Sequence, residues 1–539
     1  MKIMKKYFIF LFAFSFLFLS FLPNIYEASV SSLLSPDRTM IWGEHSYTYD
    51  YNVYLSKIRQ GQEGRQTVVD KYDNHPQQKG ILLVMLYLIS GKIGSIFNLT
   101  PTLTYHLLRV VTSVFWISTI IFLNIYFLKK ISLINLGVIL SFLTASFPVF
   151  YRFENQWWMT FYMNWWQELD ILKRISFVPH DTLNYIFISV FTILLSQMDK
   201  NKKYFIVLCV LLFLSVFVQP SAAILFLISW CLYHFIKTIW SGVFPIKQTV
   251  IIFIVILIPL LYIKFVTSFY PWKSLMDFHT KNMMIFNIKD YVLALGPIFF
   301  TGVAGGLLVI FRKKQELLGL VTWITGVAIA IILFQFFPYQ SLRFVQTSNH
   351  IPLAILSTYL FYELWKKKKA VIKIIIVITV IVIIINGLAQ AYFSLKSQDQ
   401  FINQRAMASI PLVPYPPQVM YPLTDFYNGL KWLETNSDHQ TVVLSKITAG
   451  NYIPAYSGNF VYLGHGVETP YIDDRTRKAD EFFSGNLEEK QVLKFLKTEN
   501  INYIFYGPQE KENSIKDISV YSFLIPVYQT PLVTIYKVK

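Results

Sequence analysis

Apolar runs recur from the N-terminus to about residue 390, at 7–23, 106–128, 132–151, 183–198, 204–219, 221–240, 249–268, 291–311, 317–337, 351–365 and 370–392. Each reads as a helix of roughly the length that crosses a ~30 Å hydrocarbon core, which predicts about eleven spans. Two stretches break the pattern. The first, 24–105, is polar and aromatic. The second is everything after Ser394, where the apolar spacing becomes mixed. A further apolar stretch, Ile81 to Phe97, is interrupted by Gly91, Lys92 and Gly94. Counting it as a span would put Lys129 and Lys130 outside and invert every later basic cluster, so it reads as an interfacial helix of the first loop.

The region after Ser394 predicts a separate domain. Pro411, Pro414, Pro416, Pro417 and Pro422 mark a linker over 395–422. Beyond it, Phe426 to Thr435 has helical spacing, Thr441 to Ser445 and Phe460 to Leu463 read as strands, and Leu487 to Thr498 as an amphipathic helix. Ile501 to Tyr506 and Leu532 to Val538 read as further strands. Strands alternating with helices predict an α/β domain over 423–539. No glycine-rich nucleotide signature follows any of these strands, which disfavours an energised transporter domain.

Composition agrees with a polytopic membrane protein: 54% of the 539 residues are hydrophobic and 15% charged. The net charge of +17 is mostly topology. With a cytoplasmic N-terminus, Lys2, Lys5 and Lys6, Lys129 and Lys130, Lys200 to Lys203, Lys237 and Lys247, Arg312 to Lys314 and Lys366 to Lys369 all fall on the cytoplasmic side. The first loop and the α/β domain are then extracytoplasmic, and the protein is a multi-pass protein of the cell membrane. Nucleic-acid binding has no support. The first span resembles a signal peptide but shows no small-residue cleavage site, so a retained anchor is expected. Cys209 and Cys231 both lie in spans, which leaves no disulfide framework.

Candidate chemistry lies in the loops of one face. The first loop carries Asp50 and, four residues on, Tyr54. The loop from Arg152 to Asp181 contains Glu154, the pair Trp165-Trp166, Glu168, and the sequence Pro179-His180-Asp181. Tyr339 to Phe344 contains Arg343, and His350 opens the tenth span. Aromatics at such depths are ordinary interface anchors, and charges at span ends commonly snorkel to water. Their combination asks for more, because a carboxylate, a histidine and a guanidinium on one side are the parts needed to take a proton and neutralise a phosphate. In the tail, Gly464-His465-Gly466-Val467-Glu468 follows a predicted strand. It reads first as a turn with an exposed histidine, since no metal ligands stand at recognisable spacing around His465.

The whole arrangement resembles the GT-C class of integral-membrane glycosyltransferases, the class of the protein O-mannosyltransferases and aminoarabinose transferases. Asp50 with Tyr54 resembles the acidic motif of the class's long first outer loop. Ile81 to Phe97 resembles its interfacial helix, and His106-Leu107-Leu108-Arg109 the start of its second span. The motif match covers some sixty residues. Many relatives place two acids side by side, whereas Asp50 is flanked by Tyr49 and Tyr51, so Asp37 or Glu44 supplies the second carboxylate or none is used.

The resemblance implies transfer of a hexose or pentose from a polyprenyl-phosphate donor to an acceptor (glycan, lipid or protein) on the outer face of the bilayer. Asp50 is then the general base and His180 its helper, with Arg343, Arg109, Tyr54, Asp181 and Glu154 binding substrate or phosphate. No cofactor is expected, and a divalent metal is left open. A multispan transporter or flippase is the first rival, weakened because the acidic residues lie in loops rather than spans. A non-catalytic surface-polysaccharide assembly protein is the second.

Overall fold

The computed structural model describes residues 2–44, 48–198, 203–337, 339–367, 369–407, 421–512 and 514–539. Pro411, Pro414, Pro416 and Pro417 of the expected linker lie outside the described residues. In chain order come α1 (Lys2–Val30), α2 (Thr48–Gln62), α3 (Met85–Ile96), α4 (Pro101–Leu128) and α5 (Ile131–Leu143), then strands β1 (Pro148–Phe153) and β2 (Gln156–Phe161). Next are α6 (Pro179–Gln197), α7 (Lys203–Val218), α8 (Pro220–Ser241), α9 (Ile246–Val266), α10 (Trp272–Lys281), α11 (Ile288–Ala294), α12 (Pro297–Phe311), α13 (Gln315–Leu333), α14 (His350–Trp365) and α15 (Ala370–Ala406).

The protein is a mostly helical multispan membrane protein. Among the described residues, α1, α4, α8, α9, α13 and α15 are long and apolar enough to cross a membrane, and α11 with α12, bent by 93° before Pro297, makes a seventh if the pair counts as one span. The other expected spans appear as α5, α6, α7 and α14, which are shorter or less apolar. The run expected at 132–151 stops being helical at Leu143. Its aromatic and β-branched end, with Pro148 at the break, forms β1 instead, which pairs antiparallel with β2 around a Glu154-Asn155 turn. Asn386 Nδ2 donates to the carbonyls of Ala145 (3.1 Å) and Ser146 (2.8 Å) and so satisfies the backbone where helix gives way to strand.

Two compact units result. One comprises Met1–Ile25, Arg109–Tyr262 and Met283–Asp399, and the other Tyr26–Leu108, Ile263–Asn282 and Gln400–Lys539. The first loop thus shares a unit with the tail, although the residue pattern had grouped it with the spans. The helix α15 also runs through residues 395–406, the first part of the expected linker.

In the second unit the tail adds α16 (Thr424–Asn436), β3 (Val442–Leu444), α17 (Ile447–Tyr456), β4 (Phe460–Val461), α18 (Ile472–Phe483), α19 (Glu489–Thr498), β5 (Ile501–Tyr506), α20 (Pro508–Lys511), β6 (Leu524–Gln529) and β7 (Thr534–Val538). Five strands form one mixed sheet in the order β4-β3-β5-β7-β6, with β3 parallel to both its neighbours and β7 antiparallel to both of its own. The core of this domain (Val442, Leu444, Phe460, Ile504 and Phe482 among others) also takes in Val69 of the first loop.

Polar contacts complete that docking. Lys71 is 2% exposed; its Nζ donates to the carbonyls of His439 (2.9 Å) and Gly458 (2.7 Å) and lies 4.0 Å over the Phe460 ring. Burial pulls its ammonium down to about 7. Asp73 has no exposed side-chain surface, and Arg475 Nη2 reaches its Oδ1 at 2.7 Å. The same nitrogen donates to Asn74 Oδ1 (2.7 Å) and Tyr270 Oη (2.9 Å). Burial opposes the Asp73 charge, but the His75 hydrogen bond and the Arg475 guanidinium hold its carboxyl below the usual range.

Helix α2 is clamped on two sides. Against α3 the backbones nearly touch, and a Cβ at Gly61 would stand 2.0 Å from the Leu88 carbonyl oxygen. That leaves Ile89, Ile93 and Ile96 as an exposed apolar stripe of α3. Toward the tail, Asn52, Arg59 and Glu63 recur on one face of the helix. Asn52 Nδ2 donates to Asn451 Oδ1 (2.7 Å), Arg59 to the carbonyls of Ala455 (2.8 Å) and Tyr456 (3.0 Å), and Glu63 Oε1 pairs with His439 Nδ1 (2.8 Å).

Truncation of Arg475 leaves Asp73 charged and buried without its cation. Arg475→Ala should cost about 3–5 kcal/mol of unfolding free energy, read as a lowered thermal midpoint of the purified protein; an unchanged midpoint would refute the pairing.

The Glu63–His439 contact makes this docking pH-dependent. Burial works against the Glu63 charge, yet the His439 hydrogen bond holds that carboxyl below its usual range, and the same bond holds the imidazole above its own. The histidine contribution is complete below about pH 6.5 and is lost as pH rises through the raised folded value; the glutamate contribution is complete above about pH 4.5 and is lost as pH falls through the lowered one. His439→Gln should therefore cost more stability at about pH 6 than at about pH 8, read as the gap between variant and wild-type melting midpoints at each pH.

Candidate functional site

In the second unit the site begins at the first turn of α2, where the exposed backbone N–H groups of a helix favour a negative charge. Asp50 sits there, 35% exposed. Its Oδ1 lies 3.2 Å from His465 Nε2. His465 is not on an exposed turn, as its glycine-flanked sequence had suggested: its side chain is 2% exposed. Its Nδ1 accepts the N–H groups of Val467 and Glu468, both at 3.1 Å, and Thr469 Oγ1 accepts those of Gly464 (3.1 Å) and His465 (2.9 Å). A ring whose Nδ1 is an acceptor carries its proton on Nε2, so the imidazole donates to Asp50.

Other charges surround this pair. Lys57 Nζ is 3.6 Å from Glu468 Oε1. Asp70 is buried, and burial together with the Glu468 and Asp73 charges pushes its carboxyl well above the usual range. Tyr54 stacks on Tyr87 with ring centroids 4.6 Å apart and is buried, which places it in the packing of α2 on α3. Glu44 is buried as well. Among the described residues, no three or more His, Cys, Asp or Glu side chains group together as metal ligands would.

The first unit holds the remaining expected residues. Pro179 opens α6 and places His180 and Asp181 in its first turn, with His180 Nε2 3.9 Å from Asp181 Oδ1. Arg343 lies on a single 3₁₀ turn, Ser341–Phe344, and its Nη1 donates to Gln346 Oε1 at 3.0 Å. The Gln346 carbonyl in turn accepts Asn184 Nδ2 (3.1 Å) from α6. Glu154 is exposed in the β1–β2 turn at φ +47°. Arg109 is 3% exposed; its Nε and Nη2 donate to the Ser176 carbonyl at 3.1 and 2.9 Å, and its guanidinium lies 5.3 Å over the Phe21 ring.

Two charged residues join this group that residue pattern alone had not assigned a role. Glu168 Oε1 accepts the Ser348 N–H at 2.7 Å, and burial raises its carboxyl well above the usual range. Arg174 Nη2 donates to the carbonyls of Phe142 (3.0 Å) and Thr144 (2.8 Å), and burial draws its guanidinium down to about 10. Glu168 Oε2, Asp181 Oδ1, Gln346 Nε2 and His350 Nε2 are buried polar atoms with no hydrogen-bond partner among the described residues. Buried groups of this kind are where a polar ligand finds donors and acceptors. The signal for Arg174 in the sequence was a lone guanidinium inside the apolar string Ile171 to Val178.

No family model matches the chain, nor does any curated protein. Solved structures do. The oligosaccharyltransferase AglB from Archaeoglobus fulgidus, in complex with an inhibitory peptide and a dolichol-phosphate, gives a TM-score of 0.52 at 11% identity over 98% of this chain and 74% of its own. The same organism's oligosaccharyltransferase tethered with an acceptor peptide gives 0.53 at 12%, over 97% and 74%. ArnT from Cupriavidus metallidurans, bound to undecaprenyl phosphate, gives 0.55 at 9% over 97% of both chains. The fold is that of the GT-C glycosyltransferases. The chain therefore shares an architecture with them at identities too low to carry residue roles across.

Arg109 shows why roles need local geometry. Its Nε and Nη2 both donate to one backbone carbonyl, so Arg109→Ala should destabilise the protein by about 1–3 kcal/mol through the orphaned Ser176 oxygen. Denaturant or thermal unfolding checks this; wild-type stability of the variant would free Arg109 for a ligand-binding role.

Proposed function

We propose that the protein transfers a sugar from a polyprenyl-phosphate carrier to an acceptor on the extracytoplasmic side of the cell membrane, with Asp50 as general base. The observation that carries this reading is a carboxylate presented to solvent in the first turn of a doubly clamped helix, in a chain of GT-C fold. The donor class is supported by the solved neighbours, one bound to a dolichol-phosphate and another to undecaprenyl phosphate.

In the reaction, Asp50 takes the proton of the acceptor hydroxyl as that oxygen attacks the anomeric carbon. The bond from that carbon to the phosphate oxygen breaks, its electron pair leaves on the carrier phosphate, and configuration inverts. Arg343 offsets the charge that develops on the phosphate, as a planar guanidinium does best. His180 and Asp181 bind the polar head of the donor. The positive-inside distribution of lysines supports a cytoplasmic N-terminus and an outer location for the Asp50 loop.

Purified protein incubated with labelled polyprenyl-phosphate sugars tests this directly. Release of label to an acceptor should fall about 10²–10⁴-fold in Asp50→Asn, the usual contribution of a positioned proton acceptor, with the fold retained. Full turnover in that variant overturns the assignment of Asp50.

A further inference from the structure

We infer that His465 is a positioning residue for Asp50: the α/β domain supplies the hydrogen bond that aims the base carried by α2. This rests on the reading of Asp50 given above. The geometry is directional. A neutral imidazole has one N–H to give, and here the two backbone N–H groups of Val467 and Glu468 occupy Nδ1 and force that N–H onto Nε2. The Nε2–H then faces Asp50 Oδ1 at 3.2 Å.

The loop that carries the ring is itself fixed. Thr469 Oγ1 closes it on the N–H groups of Gly464 and His465. At Gly464 a Cβ would stand 2.4 Å from the Gly450 carbonyl oxygen, so the backbones of this loop and of α17 are in contact. Tyr72 supports the ring from the side, at 5.7 Å between centroids, and its hydroxyl donates to the Asn451 carbonyl at 3.1 Å. Asn451 also accepts Asn52 from α2. The tail therefore holds both the Asn52 side chain of α2, through Asn451, and the carboxylate two residues before it, through His465. A histidine kept only for packing has no need of a saturated Nδ1 and an Nε2–H directed at a half-exposed acid.

The test uses the full-length protein in lipid nanodiscs with a labelled polyprenyl-phosphate sugar, comparing wild type, Asp50→Asn, His465→Ala and His465→Gln. A glutamine side-chain amide places an N–H close to where Nε2 stands. Loss of orientation at a reacting group costs about 10- to 100-fold, so His465→Ala should lower kcat by that factor with the donor KM nearly unchanged, and His465→Gln should recover most of it. The inference is overturned if Asp50→Asn is inactive while His465→Ala turns over at the wild-type rate. It is equally overturned if Ala and Gln lose kcat alike, which marks a structural role. Wild-type turnover in Asp50→Asn removes the reading of Asp50 itself, and with it the role assigned to His465.

Discussion

A carboxylate that stays charged with no exposed surface needs a cation, and Asp73 receives one from Arg475, 402 residues further along the chain. Desolvating either group alone is costly, so the pair is stable only when both are in place together with the remaining donors and acceptors that Asn74 and Tyr270 supply. That requirement ties the segment 68–75 to the tail. Val69 then enters the tail core, Lys71 is buried against two tail carbonyls, and α2, which precedes this segment, is held along a whole face. The candidate base sits at the first turn of that helix. Its orientation is thus a consequence of burial far from it in sequence, and the tail is part of the site's support rather than an appended module.

The first unit meets a different constraint. Backbone groups in apolar surroundings must be satisfied within the protein, and several of its polar side chains are spent on that task. Arg174 covers the carbonyls at the end of α5, Arg109 covers Ser176, and Asn386 covers Ala145 and Ser146. Charged residues at span ends are therefore of two kinds. Some, like Arg109, cap backbone; others, like Glu168 and Asp181, retain buried oxygens with no hydrogen-bond partner among the described residues. A sequence shows both kinds as a charge beside an apolar run.

Much of the fold was legible because its signals are periodic. Each of the eleven apolar runs contains helix, Met85–Ile96 is the predicted helix of the first loop, and β3, β4, β5 and β7 lie where alternation placed them. What escaped had weaker local signals. Helix α18 is nearly all charge in the string Asp473 to Glu481, and what holds it is the burial of Ala479, Phe482 and Phe483 in the domain core. The domain division escaped for another reason: composition changes at Ser394, but the contacts that assign 26–108 to the tail are long-range pairings that no composition shift records. The site was half legible. Asp50, His180 and Arg343 stood out by type and place as candidates, whereas His465 looked like a solvent-facing turn because glycines flank it on both sides. Its burial follows from Thr469 and from the backbone N–H groups of Val467 and Glu468, which the sequence lists as an unremarkable string.

Identities of 9–12% over nearly the whole chain mean that this fold persists through apolar pattern and packing, with few residues held in common. Chemistry therefore has to be located by asking which groups remain able to do it. The acids of the second unit illustrate this. Asp73 is neutralised by Arg475 and fully enclosed, so it cannot meet a substrate without breaking a buried pair. Asp70 is enclosed too, and burial favours its protonated form, which disqualifies it as a base while it stays there. Asp50 differs from both: a third of its side chain reaches solvent, and His465 Nε2 lies 3.2 Å from its Oδ1. A salt-bridged carboxylate is a poor proton acceptor because its partner cation stabilises the charge it would give up. Exposure together with a hydrogen bond of fixed direction, more than its position after the first span, singles out Asp50 as the candidate.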